Sequence, residues 1–107
     1  MFLILWEYEV EQPARAAFEL EYGGGGAWSR LFQTAAGFLG TRLYRQVGDP
    51  SRYLTTDSWV DRAAYARFMA QRQSEYQALD EQLRGLSIAQ RRLGEFESAP
   101  SPNGNPG

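Results

Sequence analysis

Asp49–Met69, DPSRYLTTDSWVDRAAYARFM, is the stretch that decides the fold. Asp49-Pro50-Ser51 has turn chemistry. Arg52 to Val60 then alternates as a strand does, with Tyr53, Thr55, Asp57 and Trp59 sharing one face. Asp61 is a good N-cap, because its carboxylate can accept from the free N–H groups of a helix start. After it Tyr65, Phe68, Met69, Arg72, Tyr76, Leu79, Leu83 and Leu86 step by three and four, which makes one continuous helical face. A straight helix over that face would run about 36 Å. That is too long for one small sheet, so a bend is expected near Gln73-Ser74.

Upstream, Phe2–Glu11 reads as another strand. Phe2, Ile4, Trp6, Tyr8 and Val10 lie on one face; Leu3, Leu5, Glu7, Glu9 and Glu11 lie on the other. Gln12-Pro13 opens a helix, since proline suits its first position. Ala14, Ala17, Phe18 and Glu21 continue it. Gly23-Gly24-Gly25-Gly26 interrupts. A phosphate-cradling loop would need a following Lys and Ser/Thr, or a dinucleotide-type strand before it. Ala27-Trp28-Ser29 supplies neither, so the run reads as a helix break. The helix resumes over Ala27–Ala36 with Trp28, Leu31, Phe32 and Ala35 inward. Gly37 suits a left-handed C-cap. Leu39–Gln46 is a second strand, joined to the third by the short turn Val47–Ser51 as a hairpin. Ser87-Ile88-Ala89-Gln90 has capping-box form and predicts a short turn. Arg91–Glu97 is the last strand. Residues 1–97 form the domain, and the Pro/Gly/Ser/Asn-rich segment 98–107 predicts a disordered tail.

The order β-α-β-β-α-β predicts an α+β, ferredoxin-like fold, with a four-stranded antiparallel sheet and both helical segments on one face. The other face then needs a cover. A second subunit's sheet supplies it most simply, so a homodimer built as a dimeric α/β barrel is expected.

Composition narrows the chemistry. The chain has 107 residues, enough for one domain, and 43% are hydrophobic, enough for a core. It contains neither Cys nor His. That excludes disulfides, Cys/His zinc sites, His-dependent triads and His-ligated haem. Acid-base work would fall to carboxylates or tyrosines. All 11 basic residues are arginines, spread along a chain of net charge −2, so no nucleic-acid partner is expected. The N-terminus lacks a basic region and turns acidic at Glu7, unlike a signal peptide, and no apolar run suits a membrane span. A soluble cytoplasmic protein without membrane partners is expected.

Several segments carry a family resemblance. These are Trp6-Glu7-Tyr8, Gly37-Phe38-Leu39-Gly40, Tyr53-Leu54-Thr55-Thr56-Asp57-Ser58-Trp59 with Tyr65 and Phe68 after it, and Arg92-Leu93-Gly94-Glu95-Phe96. In that order and spacing, residues 3–97 resemble the antibiotic biosynthesis monooxygenase (ABM) domain family of dimeric α/β-barrel proteins. Ala36 stands where members usually carry proline. The resemblance implies a homodimer with a pocket between sheet and helices in each subunit. Some members oxidise phenolic polyketides such as anthrones with O2 and need no cofactor, neither metal nor flavin. Others degrade haem through a His ligand, which this chain lacks.

In the quinone-forming members a Trp, an Asn four residues earlier and a Tyr six residues later handle substrate and protons. Trp59 and Tyr65 match that set, and Thr55 stands at the Asn place. A cofactor-independent monooxygenase acting on an aromatic or polyketide-like molecule is therefore the implied function. Asp57, on the same face as Trp59, is a candidate base, its pKa raised by burial; a carboxylate paired with Arg42 or another Arg on a neighbouring strand is the plainer reading. Asp57, Tyr65 and Arg42 are the candidate catalytic residues. Trp59, Thr55, Tyr8, Trp6 and Phe68 are the candidate substrate-binding residues. Glu7, Glu9 and Glu11 share a face that could bind a cation, or simply pair with arginines. From another class, a non-catalytic dimeric module binding an aromatic ligand or a protein partner fits the same residues.

Overall fold

Apolar on both faces in its first half, the N-terminal strand takes an interior place in the sheet. The structure, a computed structural model, describes residues 1–100. Strands β1 (Phe2–Glu9), β2 (Phe38–Arg45), β3 (Arg52–Trp59) and β4 (Ala89–Glu97) form one antiparallel sheet in the order β2-β3-β1-β4. Helices α1 (Arg15–Tyr22), α2 (Ala27–Phe32) and α3 (Arg62–Leu83) cover one face. This is the ferredoxin-like arrangement read from the sequence.

The core lies between helices and sheet and is largely aromatic. Phe2, Tyr8, Tyr53 and Trp59 from the sheet are buried against Phe18, Tyr22, Trp28, Phe32 and Phe68. Trp59 is fully buried and packs edge-on to Phe38 at 5.1 Å and to Tyr65 at 5.7 Å between ring centroids. Such pairs add about 0.5–1.5 kcal/mol each beyond the area they bury. Among the described residues no helix lies over the opposite face. Leu3, Leu5 and Leu54 are half-buried there, while Tyr44, Leu93 and Phe96 are exposed.

Local chemistry sets the element ends. Asp61 Oδ1 accepts from Ala64 N–H at 2.8 Å and caps α3, as its sequence position predicts. In the hairpin turn Asp49 Oδ1 accepts from Ser51 Oγ at 2.6 Å and from Ser51 N–H at 3.2 Å. The expected bend of α3 falls at Arg72, whose φ of −125° and ψ of 24° break the helix one residue before Gln73. Three expectations shift. Helix α2 ends at Phe32, short of Ala36, so Gly37, with φ of +90°, lies in a loop and caps no helix. The segment Ser87–Gln90 opens no turn: Ile88 N–H donates to Glu9 O at 2.9 Å, and pairing with β1 draws β4 back to Ala89. Ser98, placed in the expected tail, donates its N–H to Met1 O at 2.9 Å. The rest of that expectation, 101–107, lies outside the described residues.

Two bulges interrupt the ladders. In β2 the register shifts between Phe38 and Gly40, leaving Leu39 as the extra residue. In β4 Leu93 is extra, between Gly94 opposite Leu5 and Arg92 opposite Trp6. Each bulge carries a glycine at a φ that side chains rarely adopt, +149° at Gly40 and +147° at Gly94. Beyond the bulges, Thr41 meets Asp57 and Arg92 meets Trp6 on the helix-covered face.

Candidate active site

Strand β3 positions the site. Alternation turns Tyr53, Thr55, Asp57 and Trp59 toward the helices. Register then sets Asp57 between Ile4 of β1 and Thr41 of β2. Thr41 Oγ1 donates to Asp57 Oδ1 at 2.7 Å. No arginine pairs with Asp57 among the described residues. Burial pushes its carboxyl up to about 6, against the Thr41 hydrogen bond, which favours the charged form.

Asp57 borders two cavities. The larger, about 290 Å³, lies between Ile4 and Trp6 of β1, Trp59 at the end of β3, and Tyr65 and Met69 of α3, with Arg92 at its rim. The smaller, about 30 Å³, reaches between Tyr8, Thr55, Tyr22 and Trp28, with Asp80 and Gln90 also in its wall. Trp6, Phe32, Asp57 and Tyr76 belong to both. The larger volume sits near the lower end of the roughly 300–1,000 Å³ of ligand pockets.

The tyrosines around the site are poor bases. Burial raises the phenols of Tyr8 and Tyr76 far above their ordinary value. Burial also raises Tyr65, which the Arg92 guanidinium pulls back only in part. Asp57 is thus the group in the cavity that titrates near neutrality. The indole N–H of Trp59 is buried and has no hydrogen-bond partner among the described residues. An unpaired buried donor costs about 1–3 kcal/mol, and this one belongs to a cavity wall.

The structure gathers Asp57, Tyr65, Trp59, Thr55, Tyr8 and Trp6 around these cavities. It separates two candidates from them. Arg42 pairs across from Thr56, so it stands on the opposite face of the sheet and is exposed. Neither the pairing of Arg42 with Asp57 nor a role for it beside the substrate survives that placement. Arg92 occupies the cavity rim, turned inward by the β4 bulge. Phe68 lies behind Trp59, at 5.5 Å between ring centroids, and lines neither cavity. Glu7 meets Arg52 at 3.2 Å and Arg91 at 3.4 Å, the arginine-paired alternative. Sequence reasoning missed Thr41 and the pocket role of Trp28, which reads as plain core. Thr41 had a signal: pairs counted back from the Gln46–Arg52 closure of the hairpin bring it opposite Asp57.

Among the described residues no helix is long and apolar enough to cross a membrane. No curated protein matches the chain. Solved structures share the fold at low identity. SnoaB from Streptomyces nogalater, a cofactor-independent oxygenase seen as a point mutant, is 22% identical with a TM-score of 0.71, over 94% of this chain and 95% of that one. The ActVA-Orf6 monooxygenase of Streptomyces coelicolor, in complex with nanaomycin D, is 16% identical with a TM-score of 0.70, over 94% and 88%. A protein from Bordetella bronchiseptica assigned to antibiotic biosynthesis monooxygenases is 17% identical with a TM-score of 0.68, over 92% and 96%. The family model for antibiotic biosynthesis monooxygenases matches residues 1–78. With most of its length under that model, and with the strand order and helix placement to go with it, the chain belongs to the antibiotic biosynthesis monooxygenase family.

Proposed function

We propose that the protein is a cofactor-independent monooxygenase that oxidises an aromatic, polyketide-like small molecule with O2. One observation carries the reading: a carboxyl with its pKa near 6 stands in the wall of a cavity otherwise lined mostly by aromatic and aliphatic side chains. A general base works best when its pKa lies near the operating pH. The fold shared with SnoaB, a cofactor-independent oxygenase, supports the same chemistry.

In this mechanism Asp57 takes a proton from the activated CH2 or phenol of an anthrone-like substrate. The carbanion passes one electron to O2, and the resulting radical pair couples to form a C–O bond. Asp57 returns its proton to the peroxide, and the hydroperoxide then loses water and leaves a quinone carbonyl. One oxygen atom of O2 stays on carbon, and the other departs as water with the two hydrogens of the CH2. Trp59 donates its free N–H to a substrate oxygen. Arg92 and Tyr65 stabilise the charge that develops on the phenolate. Thr41 holds the Asp57 carboxylate in place. Two copies assemble through the uncovered sheet face, whose exposed Tyr44, Leu93 and Phe96 support a homodimer.

Dithranol, an anthrone, supplied with isotopically labelled O2 tests the chemistry. The quinone should carry one labelled oxygen, with one O2 consumed per quinone. No uptake above buffer, with dithranol bound but recovered unchanged, would instead establish a binding module.

A further inference from the structure

Beyond Asp57 the smaller cavity differs in character from the larger one. Its wall includes Thr55, Asp80, Gln90 and the indole of Trp28. Trp28 is 8% exposed, and its N–H has no hydrogen-bond partner among the described residues. Tyr22, whose hydroxyl can accept a hydrogen bond, lines the same cavity. Burial raises that phenol and the neighbouring Trp28 N–H pulls it back, yet the two do not meet at hydrogen-bonding geometry. The donor is therefore left unpaired in a polar recess. At about 30 Å³ the recess is too small for a ring. A single water needs about 10–15 Å³ of such space, so it suits one or two oxygen-sized groups. It shares Trp6, Asp57 and Tyr76 with the larger cavity, so the edge of a molecule lying over Asp57 faces it.

We propose that this recess is a substrate-recognition subsite, in which Trp28 Nε1 donates a hydrogen bond to a hydroxyl or carbonyl oxygen on the edge of a fused-ring aromatic substrate. The inference rests on the reading that the larger cavity takes the ring system. It adds a requirement that Asp57 and Trp59 do not impose. The substrate carries oxygen at two places, one facing Trp59 and one facing Trp28. Aromatic molecules without the second oxygen leave the Trp28 N–H unpaired and bind more weakly.

Binding of redox-stable probes tests this without turnover. 1,8-Dihydroxyanthraquinone and unsubstituted anthraquinone are titrated into the full chain by fluorescence quenching. Wild type is expected to prefer the dihydroxy compound by about tenfold, the size of one hydrogen bond. Trp28→Phe should reduce that preference to within about twofold, with little change for anthraquinone. Benzothienylalanine at position 28 replaces N–H by sulfur while keeping the ring's shape, and it should act the same way without a packing defect. A preference that survives the benzothienylalanine replacement overturns the proposal. Failure of wild type to bind either quinone, or to distinguish them, overturns it as well. Oxidation of dithranol reports separately. A lost preference without O2 uptake keeps the subsite and removes the oxygenase reading; uptake with an unchanged preference does the reverse.

Discussion

Asp57 sits at a cost to the fold. Its pKa of about 6 lies above the ordinary 3.8, so between those values the folded chain holds a proton that the unfolded chain releases. Stability from this group therefore falls as pH rises from about 4 to about 6, and stays low above that. Asp57→Asn, which keeps an acceptor for Thr41, should stabilise the protein at pH 7 by on the order of 1–2 kcal/mol. Thermal melting at pH 7 and again near pH 4 checks the sign, with the gain largely gone at the lower pH. The same change should lower turnover at least about 100-fold, the usual worth of a general base. Thr41→Val removes the hydrogen bond that holds the Asp57 pKa down. The acid limb of the pH-rate profile should then move to higher pH, which a scan of initial rates would show. Alternation alone made Asp57, Thr55 and Trp59 legible as one face. Arg42 was misread because its face depends on cross-strand register. Hairpin counting, which pairs it with Thr56, places it on the uncovered side.

Among elements, the β4 bulge is the feature that aims Arg92 at the cavity. Gly94 holds a φ of +147°, which a side chain tolerates poorly. Gly94→Val should cost about 1–3 kcal/mol, measurable as a lower urea midpoint with an unchanged m-value. If the bulge resists by slipping register, Arg92 leaves the rim and the KM for an aromatic phenol rises. Period-two and period-3.6 patterns made the order of strands and helices readable. Boundaries were less so, for physical reasons. Pairing with β1 extended β4 back through Ala89 into a stretch that looked like a capping box. The bend of α3 falls at Arg72, in a helix with no Pro or Gly to mark the place. Bulges carry no periodic signal at all, which is why Leu39 and Leu93 did not announce themselves.

On the scale of the whole molecule, one sheet face holds the two cavities that Asp57 borders, and the other carries exposed apolar side chains. Tyr44, Leu93 and Phe96 are 47%, 37% and 48% exposed, an apolar set that a second copy would bury. Sedimentation at micromolar concentration should give a dimer, and Phe96→Arg should shift it toward monomer with the helical content unchanged. A wild-type monomer would contradict the proposed homodimer. On the helix-covered face, the proposed oxygenase chemistry requires the buried Asp57 carboxyl to take a proton from the substrate. O2 uptake by the purified protein with dithranol, followed from about pH 5 to 8 beside Asp57→Asn, tests it most directly. The expected result is a rate above buffer that climbs through about pH 6 and levels off, and that Asp57→Asn lacks. A rate equal to buffer, or one that Asp57→Asn leaves intact, would contradict it.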